Sequence, residues 1–431
     1  MLIRFEVTNF RSIRETVELS MVAVDQEREE ARPAPLLGES LLPVAAVYGP
    51  NASGKSNVLA ALAWVRDAVQ HSLRIWEDAI PIESFAFRDG PTLSSEFIVE
   101  MLIQGVRFEY VLEVDHERVA YEALFHYPEK KRRRIFEREG PEFKIQRGLG
   151  ALSGTRELMT QNTLALSIAR RFDEPLVSSF ARELLQMQNL GQGQRRGRAS
   201  YPFLTARYPG GALSTRRLFE ENDKQLALFS SDDPKSLAYA TRKQALALLR
   251  LADLGIDDVV IDTQEIPLPD SSEVRTQRRV RLIHKTAEES LPFDFSAESE
   301  GTRTWFQLIG PVLTALRYGS VVLFDELDAS LHPTLSAELL RIFHSPAINP
   351  RGAQLIFTSH DTSLLNHLNR DEVWLTDKVN DGSTRLGALA DFAGERVRKS
   401  QNLESAYLHG RFGALPQIDQ TDLLRSLGLI G

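Results

Sequence analysis

The chain has 431 residues, a length typical of two or three lobes, and its content of 42% hydrophobic and 26% charged residues is ordinary for a globular protein. The net charge of −8 argues against a general attraction to nucleic acid or membranes, and the lack of cysteine excludes disulfides and thiolate zinc sites. No apolar run approaches the ~20 residues of a membrane span, and no signal peptide is evident. We therefore expect a cytoplasmic protein with no membrane partner.

The first 154 residues are predicted to form an N-terminal lobe. The segment LIRFEVTNF (2–10) alternates apolar and polar residues, as in a strand that leads into a turn. The charged, proline-bearing stretch 26–40 predicts a solvated loop, and residues 55 to about 70 predict a helix. Repeated alternation over 95–138 predicts an antiparallel β meander.

Residues 155–255 are predicted to form a helical insertion, because LALSIARRF, SSFARELLQM and KSLAYATRKQALALLRLADLG have helical spacing. Within it, GQGQRRGRASYPF and YPGGALST are typical of exposed connectors. Residues 256–431 are assigned to a C-terminal lobe, since strand-like runs return in DDVVID, RRVRLIH, SVVLFDEL and AQLIFTSH. The chain has no internal repeats or sustained heptads, which argues against a long coiled-coil arm.

The most specific motif lies in AAVYGPNASGKSNVLAAL (45–62), where the G-x-x-x-x-G-K-S spacing predicts a phosphate-binding loop between a strand and a helix. Its glycines let several backbone N–H groups face one anion, and the helix adds the positive end of its dipole. Lys55 would reach the β- and γ-phosphates, and the Ser56 hydroxyl would ligate Mg²⁺. The predicted nucleotide-binding residues of the loop are Gly49, Asn51, Ala52, Ser53, Gly54, Lys55, Ser56 and Asn57.

A second motif begins at VVLF (321–324), four apolar residues that lead directly into Asp325 and Glu326. A buried parallel strand that ends in two carboxylates is typical of a Walker B motif. Asp325 would then hold Mg²⁺, and Glu326 would orient or deprotonate the attacking water. An acidic helix cap after a core strand is the structural alternative. His360 ends another apolar strand and could contact the γ-phosphate or the lytic water.

The stretch ESEGT (298–302) stands at the start of an amphipathic helix. Ser299, Gly301 and Thr302 could form a second anion site there, and a plain helix N-cap is an equally good interpretation. One P-loop already accounts for the triphosphate of its own subunit. A second anion site in the same chain therefore suggests a contact with the nucleotide of another subunit.

The order of the P-loop, ESEGT, VVLFDELDASLHP and QLIFTSH resembles that of ABC-type ATPases, in the branch that includes the SMC, RecF and OLD proteins. It is most similar to prokaryotic abortive-infection ATP-binding proteins, which are AAA-family ATPases of anti-phage gene pairs. The similarity extends to FEVTNFRSI, LADLGIDDVVI, LIHK and AYLHGRFGALP. It implies an α/β fold, an ABC-type ATPase (P-loop NTPase) core with a mixed sheet, an antiparallel β meander subdomain and a helical insertion.

The resemblance also implies residue roles, with ATP as the nucleotide and Mg²⁺ as the metal, although no residue pattern separates ATP from GTP. Glu326 and His360 would be catalytic, and Ser299 and Gly301 would complete a partner's site across a head-to-tail homodimer, alone or within a higher homo-oligomer. The other implied roles are Walker A for Lys55 and Ser56, a metal ligand for Asp325, the D-loop for Asp328, and approach to the nucleotide for Arg11. Because the signature is ESEGT and not LSGGQ, a transporter subunit is disfavoured. The Q-loop residue stays unassigned, since Gln104 and Gln161 lie in unsuitable segments.

This resemblance predicts an ATP-hydrolysing switch of an anti-phage defence system. The residues after His360 are too few for the nuclease domain that OLD proteins carry there, so a separately encoded nuclease or toxin would be the effector. The alternative is a DNA-repair or DNA-binding ATPase of the RecF or SMC type, in which KKRRR (130–134), RRGR (195–198) or RTQRR (275–279) would contact DNA. Acidic neighbours make KKRRR more typical of a solvated strand face. Arg411 could touch a partner or nucleic acid, with a structural lid as the alternative.

Overall fold

A computed structural model describes residues 1–191, 215–220, 234–267, 274–392 and 403–409. The chain divides into two units, which are described separately below. Unit one contains Met1–Arg182 and Ile356–Gly431, and unit two contains Glu183–Leu355. The boundaries at residues 154 and 255, which follow changes in sequence character, stay a prediction.

Unit one contains a large antiparallel sheet that includes the predicted meander. Its strands are β1 (Leu2–Thr8), β2 (Val17–Ser20), β6 (Ser95–Ile103), β7 (Val106–Val114), β8 (Val119–Tyr127), β9 (Arg133–Glu139) and β10 (Glu142–Ile145). Their order is β10-β9-β8-β7-β6-β1-β2. The alternating residues Phe97, Phe108 and Tyr110 are buried, as the period of two requires for the face of a sheet that packs on the core.

The prediction of a solvated loop over 26–40 is wrong in part. A short antiparallel hairpin, β3 (Arg32–Ala34) with β4 (Glu39–Leu41), lies across the end of this stretch. Ala34 and Leu41 form a buried cluster with Ile3 of β1. These apolar contacts order a stretch whose charge and proline content suggested exposure to solvent.

A mixed sheet in unit one surrounds the strand that leads into the P-loop. Its strands are β5 (Val44–Tyr48), β16 (Gln354–Thr358, whose first two residues belong to unit two), β17 (Val373–Lys378) and β18 (Thr384–Ala388). β5 is buried throughout and lies between β16 and β17. β17 is parallel to β5 and antiparallel to β18. The helix after the loop, α1 (Lys55–Ile75), extends beyond its predicted end near residue 70, and Ser72 in this extension is buried.

The remaining described helices of unit one are short, apart from one that crosses into unit two. They are α2 (Thr155–Leu158), α3 (Ala165–Ala169), α4 (Pro175–Leu185, which runs across the unit boundary), α9 (Leu389–Phe392) and α10 (Leu403–Leu408). The buried carboxylate of Glu122 on β8 accepts hydrogen bonds from the backbone N–H groups of Ala165 and Leu166, at 2.6 and 2.7 Å. The Tyr110 hydroxyl donates a third, at 2.9 Å. Glu122 thus joins α3 to the meander.

Unit two combines helices with two groups of strands. Its elements are β11 (Gln188–Gly191), α5 (Pro234–Ala252), β12 (Ile256–Pro267), β13 (Val274–Lys285), β14 (Ser290–Asp294), α6 (Glu300–Tyr318), β15 (Val321–Asp325), α7 (Leu327–Ser330) and α8 (Pro333–His344). β12, β13 and β14 form an antiparallel sheet, and β11 is parallel to β15. The sequence did not indicate β11, which lies within the stretch predicted to be helical.

The predicted α/β fold with a mixed sheet, an antiparallel meander and additional helices is confirmed. Among the described residues, no helix combines the length and the apolar composition needed to span a bilayer.

Candidate functional site

The loop between β5 and α1 has the backbone geometry that its glycines permit. Gly49, Ala52 and Gly54 have φ angles of 150°, 62° and 102°. A Cβ on Gly54 would overlap the side chain of Thr384, and a Cβ on Gly49 would overlap Thr376. Both glycines are therefore required by backbone conformation and by space.

Lys55 begins α1 with its side chain turned back onto the loop. Its Nζ donates to the carbonyl oxygens of Gly49 and Pro50, at 2.8 and 2.9 Å. The residue is only 6% exposed. This places a buried positive charge against the loop backbone at a helix N-terminus, a combination that favours an anion.

Hydroxyl groups from distant parts of the chain hold this loop. Thr384 Oγ1 donates to the Ser53 carbonyl at 2.8 Å and lies 2.7 Å from Ser12 Oγ. Asn57 Nδ2 donates to the same Ser12 hydroxyl at 2.7 Å, and Ser53 Oγ lies 2.6 Å from Thr376 Oγ1. We call Ser12, Ser53, Asn57, Thr376 and Thr384 the hydroxyl brace. Sequence analysis missed Ser12, Thr376 and Thr384, since threonine is common in strands and no local pattern marks these positions.

Arg11 lies in the same turn as Ser12, with a left-handed backbone (φ 51°). Its guanidinium pairs with the Glu83 carboxylate at 2.9 Å and lies over the Phe10 ring at 5.3 Å. The contact between this turn and the start of α1 is made by Ser12, whose hydroxyl accepts the hydrogen bond from Asn57. The predicted approach of Arg11 to the nucleotide stays a prediction.

His360 follows β16 and belongs to unit one, as the P-loop does. The N–H of Ser359 donates to the Val47 carbonyl at 3.3 Å, and the Tyr48 hydroxyl donates to the Asp361 carbonyl at 3.1 Å. Tyr48 directly precedes Gly49. Unit one thus brings the predicted switch segment beside the strand that enters the phosphate loop.

Unit two contains the predicted Walker B residues at the end of β15. Asp325 is 6% exposed, and Glu326 has a left-handed backbone with φ 56° and ψ 62°. Non-glycine residues in this region cost of order 1–2 kcal/mol and concentrate at functional sites. Glu326 stands at the N-cap of α7, yet its side chain makes no capping hydrogen bond. The helix-cap alternative is therefore not supported, while the catalytic role stays a prediction, as does the D-loop role of Asp328 in α7.

The ESEGT turn also lies in unit two, and Ser299 is the N-cap of α6. Its Oγ accepts from the Thr302 N–H at 3.1 Å and lies 2.8 Å from Thr302 Oγ1. Gly301 differs from the P-loop glycines: its φ is not left-handed, and a Cβ there would meet nothing closer than Ser299 Oγ at 3.9 Å. The described part of the chain therefore gives Gly301 no conformational or packing reason to be glycine.

The structure gives no reason to assign either Gln104 or Gln161 as the Q-loop residue. Gln104 lies in a turn with φ 49°, and Gln161 Nε2 donates to the Glu117 carbonyl at 3.4 Å. The strand beside Asp325 is β11, which ends at Gly191, and Gln192 after it lies outside the described residues. The Q-loop position stays unassigned.

The basic run KKRRR carries three arginines with carboxylate partners. Arg132 pairs with Glu109 at 2.5 Å, Arg133 with Glu129 at 3.7 Å and Arg134 with Glu137 at 2.6 Å. This is the arrangement expected of a solvated strand face. The run RRGR, the residue Arg411 and the side chains of 275–278 lie outside the part that the structure describes.

Comparison with known proteins shows that a family model matches the part of the chain that contains most of these elements. The model of the family described as "AAA domain, putative AbiEii toxin, Type IV TA system" matches residues 44–366, from β5 to beyond His360. No curated protein matches the chain.

Among solved structures, the SMC head domain from Thermotoga maritima is 13% identical over 90% of this chain and 98% of its own, with a TM-score of 0.41. The SmcHead bound to the C-winged helix domain of ScpA is 10% identical over 90% and 97%, with a TM-score of 0.44. A Smc head domain with an extended coiled coil, bound to the C-terminal domain of ScpA derived from Pyrococcus furiosus, is 12% identical over 90% and 97%, with a TM-score of 0.38. These are distant likenesses.

Proposed function

The chain belongs to this AAA-domain family, and from that premise we propose that it is an ABC-type ATPase that works as a nucleotide-gated homodimer. Two molecules of ATP would be held between two copies of the chain, head to tail. Each copy would supply its Lys55 loop to one nucleotide and its Ser299 turn to the other. Hydrolysis would then open the dimer, so that ATP acts as a timed switch.

The main support for the head-to-tail arrangement is the glycine at position 301. A glycine in the first turn of a helix costs up to about 1 kcal/mol relative to alanine. Nothing in the described residues compensates for that cost at Gly301, whereas Gly49 and Gly54 are required within the chain. Close approach of a partner's phosphate to the backbone at the start of α6 would require a residue without a side chain.

The residues of the two motifs fit a nucleotide with Mg²⁺. The Ser56 hydroxyl and the Asp325 carboxylate are the hard oxygen ligands that Mg²⁺ prefers, and buried Lys55 supplies the cation for the phosphates. When bound, Mg²⁺ neutralises charge on the β- and γ-phosphates. Glu326 would accept the proton of the attacking water, and His360 would donate a hydrogen bond to the γ-phosphate oxygen.

We place this ATPase in an abortive-infection system against phage. The family description names a putative toxin and a toxin–antitoxin system, which supports a second protein as partner. The ATP-dependent dimer would hold or release a separately encoded effector, a nuclease or toxin. Co-purification from the native operon tests this: we expect the neighbouring gene product to elute with the ATPase, and recovery of the ATPase alone as a monomer would count against it.

Glu326→Gln tests the catalytic proposal. The amide cannot take a proton, so hydrolysis should fall by about 10²-fold or more while ATP binding persists. The variant should accumulate as a nucleotide-bound dimer, measured by light scattering after gel filtration with ATP and Mg²⁺. Lys55→Ala is the matched control: it should not dimerise, and ATP should no longer raise its Tm. Normal turnover by Glu326→Gln would remove Glu326 from the catalytic role.

A further inference from the structure

A histidine in unit two joins the Ser299 turn to two other segments. His284 Nε2 lies 2.9 Å from Glu298 Oε1, and Glu298 directly precedes Ser299. The other ring nitrogen, Nδ1, lies 3.9 Å from Asp253 Oδ2, just after the end of α5. One imidazole therefore stands between two carboxylates, and it connects β13, α5 and the turn before α6. We call these three side chains the His284 bridge.

The side chains of the bridge are partly buried, and neighbouring groups contact the imidazole and Asp253. The side chains of Glu298 and His284 are 8% and 23% exposed. The ring of Phe293, on β14, packs edge-on against the imidazole with centroids 5.2 Å apart. The second oxygen of Asp253 accepts the N–H of Gly255 at 2.8 Å. Because neighbouring groups restrain the imidazole and Asp253, the bridge gives Glu298 a defined position.

Aromatic packing also holds the segment that leads into the same turn. Phe295, three residues before Glu298, packs against Phe306 of α6 with ring centroids 5.0 Å apart. The turn is therefore held to α6 through Phe295 and to β13 through Glu298. When a binding element is already ordered before association, less conformational entropy is lost as the two copies associate.

We propose that His284 is a positioning residue that sets the Ser299–Gly301 turn for its contact with the partner's nucleotide. The role rests on the proposed head-to-tail dimer. His284 touches neither nucleotide nor reacting atoms in this proposal. Its effect passes through Glu298, so losing it should weaken dimerisation while ATP binding at the Lys55 loop, in unit one, is unchanged.

A divalent cation such as zinc is the competing interpretation of the same side chains. One ligand atom from each of Asp253, His284 and Glu298 lies within 4.8 Å of the others. However, the 2.9 Å separation of Nε2 and Oε1 is a hydrogen-bond distance, and the two ring nitrogens face different carboxylates. One ion cannot use both nitrogens of one imidazole, so a hydrogen bond between His284 and Glu298, with Asp253 facing the other nitrogen, accounts for more of the geometry.

The test measures dimerisation in the Glu326→Gln background, where the dimer accumulates. Adding His284→Ala should raise the protein concentration for half-maximal dimerisation about tenfold, as expected for loss of a charge-assisted hydrogen bond. His284→Gln keeps an N–H that can reach Glu298 and should recover most of the loss. Lys285→Ala, on the exposed next position of β13, is the matched control and should not change it. The monomer's affinity for a fluorescent ATP analogue should be the same in all of them.

A double-mutant cycle separates positioning from a loss of folding. Glu298→Ala should weaken dimerisation as His284→Ala does, and the two together should cost no more than either alone, with Tm values compared throughout. Full additivity overturns the bridge, and so does unchanged dimerisation of His284→Ala. One equivalent of zinc in the purified wild type that is lost in His284→Ala would also overturn it, in favour of a metal site. If the Glu326→Gln parent itself fails to dimerise with ATP, the proposed function fails first and the role of His284 falls with it.

Discussion

Thr384 illustrates how a single hydroxyl can fix a loop 331 residues away in the chain. Thr384→Val keeps the shape but removes the hydrogen bond to the buried Ser53 carbonyl, at a cost of about 1 kcal/mol. Because the loop is then less well ordered before it binds a phosphate, we expect the Kd for ATP to rise about fivefold. Calorimetric titration of ATP measures this. Thr384→Ser retains the hydroxyl and should bind as the wild type does, whereas equal affinity of the valine variant would show that the brace is dispensable.

Burial of His71 on α1 leads us to expect that the stability of unit one falls at acid pH. Burial lowers the pKa of His71 below its usual value of 6.5, and the positive charges of Arg66, Arg170 and Arg74 lower it further, against the opposing effect of Asp67. The unfolded chain therefore takes up this proton first as the pH falls. The stabilisation from neutral His71 is full above about pH 6.5 and is lost as the pH falls through the folded-state pKa.

We expect His71→Gln to weaken this dependence. Urea unfolding between about pH 5 and pH 7.5 should show a smaller loss of free energy of unfolding at the acid end for the variant than for the wild type. Parallel pH profiles for the two proteins would contradict the assignment.

Single residues could be predicted from the sequence where a short local motif marks them, and could not be where they act through distant contacts. Gly49, Gly54 and Lys55 were identifiable because the motif that contains them spans only eight consecutive residues. Thr376 and Thr384 act only through tertiary contacts, and so does His284, whose segment LIHK was noted solely for its resemblance to a family. No periodicity or spacing marks such residues.

At the scale of elements, Glu122 decides how α3 attaches to the meander. Its two oxygens accept two backbone N–H groups and a tyrosine hydroxyl in a fully buried setting. Burial raises the pKa of the Glu122 carboxyl, against the opposing effects of Arg138 and the hydrogen bonds. Glu122→Gln replaces one acceptor oxygen with an NH₂ that must face donors, so we expect a loss of about 1–3 kcal/mol in the free energy of unfolding.

Urea unfolding with a constant m-value measures the Glu122→Gln effect. Glu117→Gln, on the exposed turn between β7 and β8, is the control and should lie within about 0.5 kcal/mol of the wild type. A Glu122→Gln protein as stable as the control would show that the buried hydrogen bonds contribute little.

Elements were predictable where they are long and periodic. Alternation over β6 to β9 predicted the meander, and helical spacing predicted α1 and α5. β3, β4 and β11 have three or four residues each, and their formation depends on partners such as Ile3 and β15. Short strands are set by their neighbours more than by their own sequence, so local patterns could not reveal them.

At the scale of the whole molecule, the order of motifs predicted the family, and the match over 44–366 confirms it. The predicted motifs are shared between the units: the Lys55 loop and His360 belong to unit one, and Ser299, Asp325 and Glu326 belong to unit two. Sequence order could not predict this division, because unit one is made of two segments far apart in the chain. The proposed function requires one further property of the molecule, namely that each active site contains residues from two copies of the chain.

Subunit complementation tests that claim most directly. Lys55→Ala removes the phosphate loop's lysine, and Gly301→Asp places a carboxylate where the partner's phosphate would approach, so each protein alone should be inactive as an ATPase. A mixed dimer contains one site with an intact loop and an intact turn, and an equimolar mixture should regain up to about a quarter of the wild-type rate. Thermal melts confirm that both proteins are folded. Activity in the mixture no greater than the sum of the two separate proteins, at every ratio, would contradict the shared site.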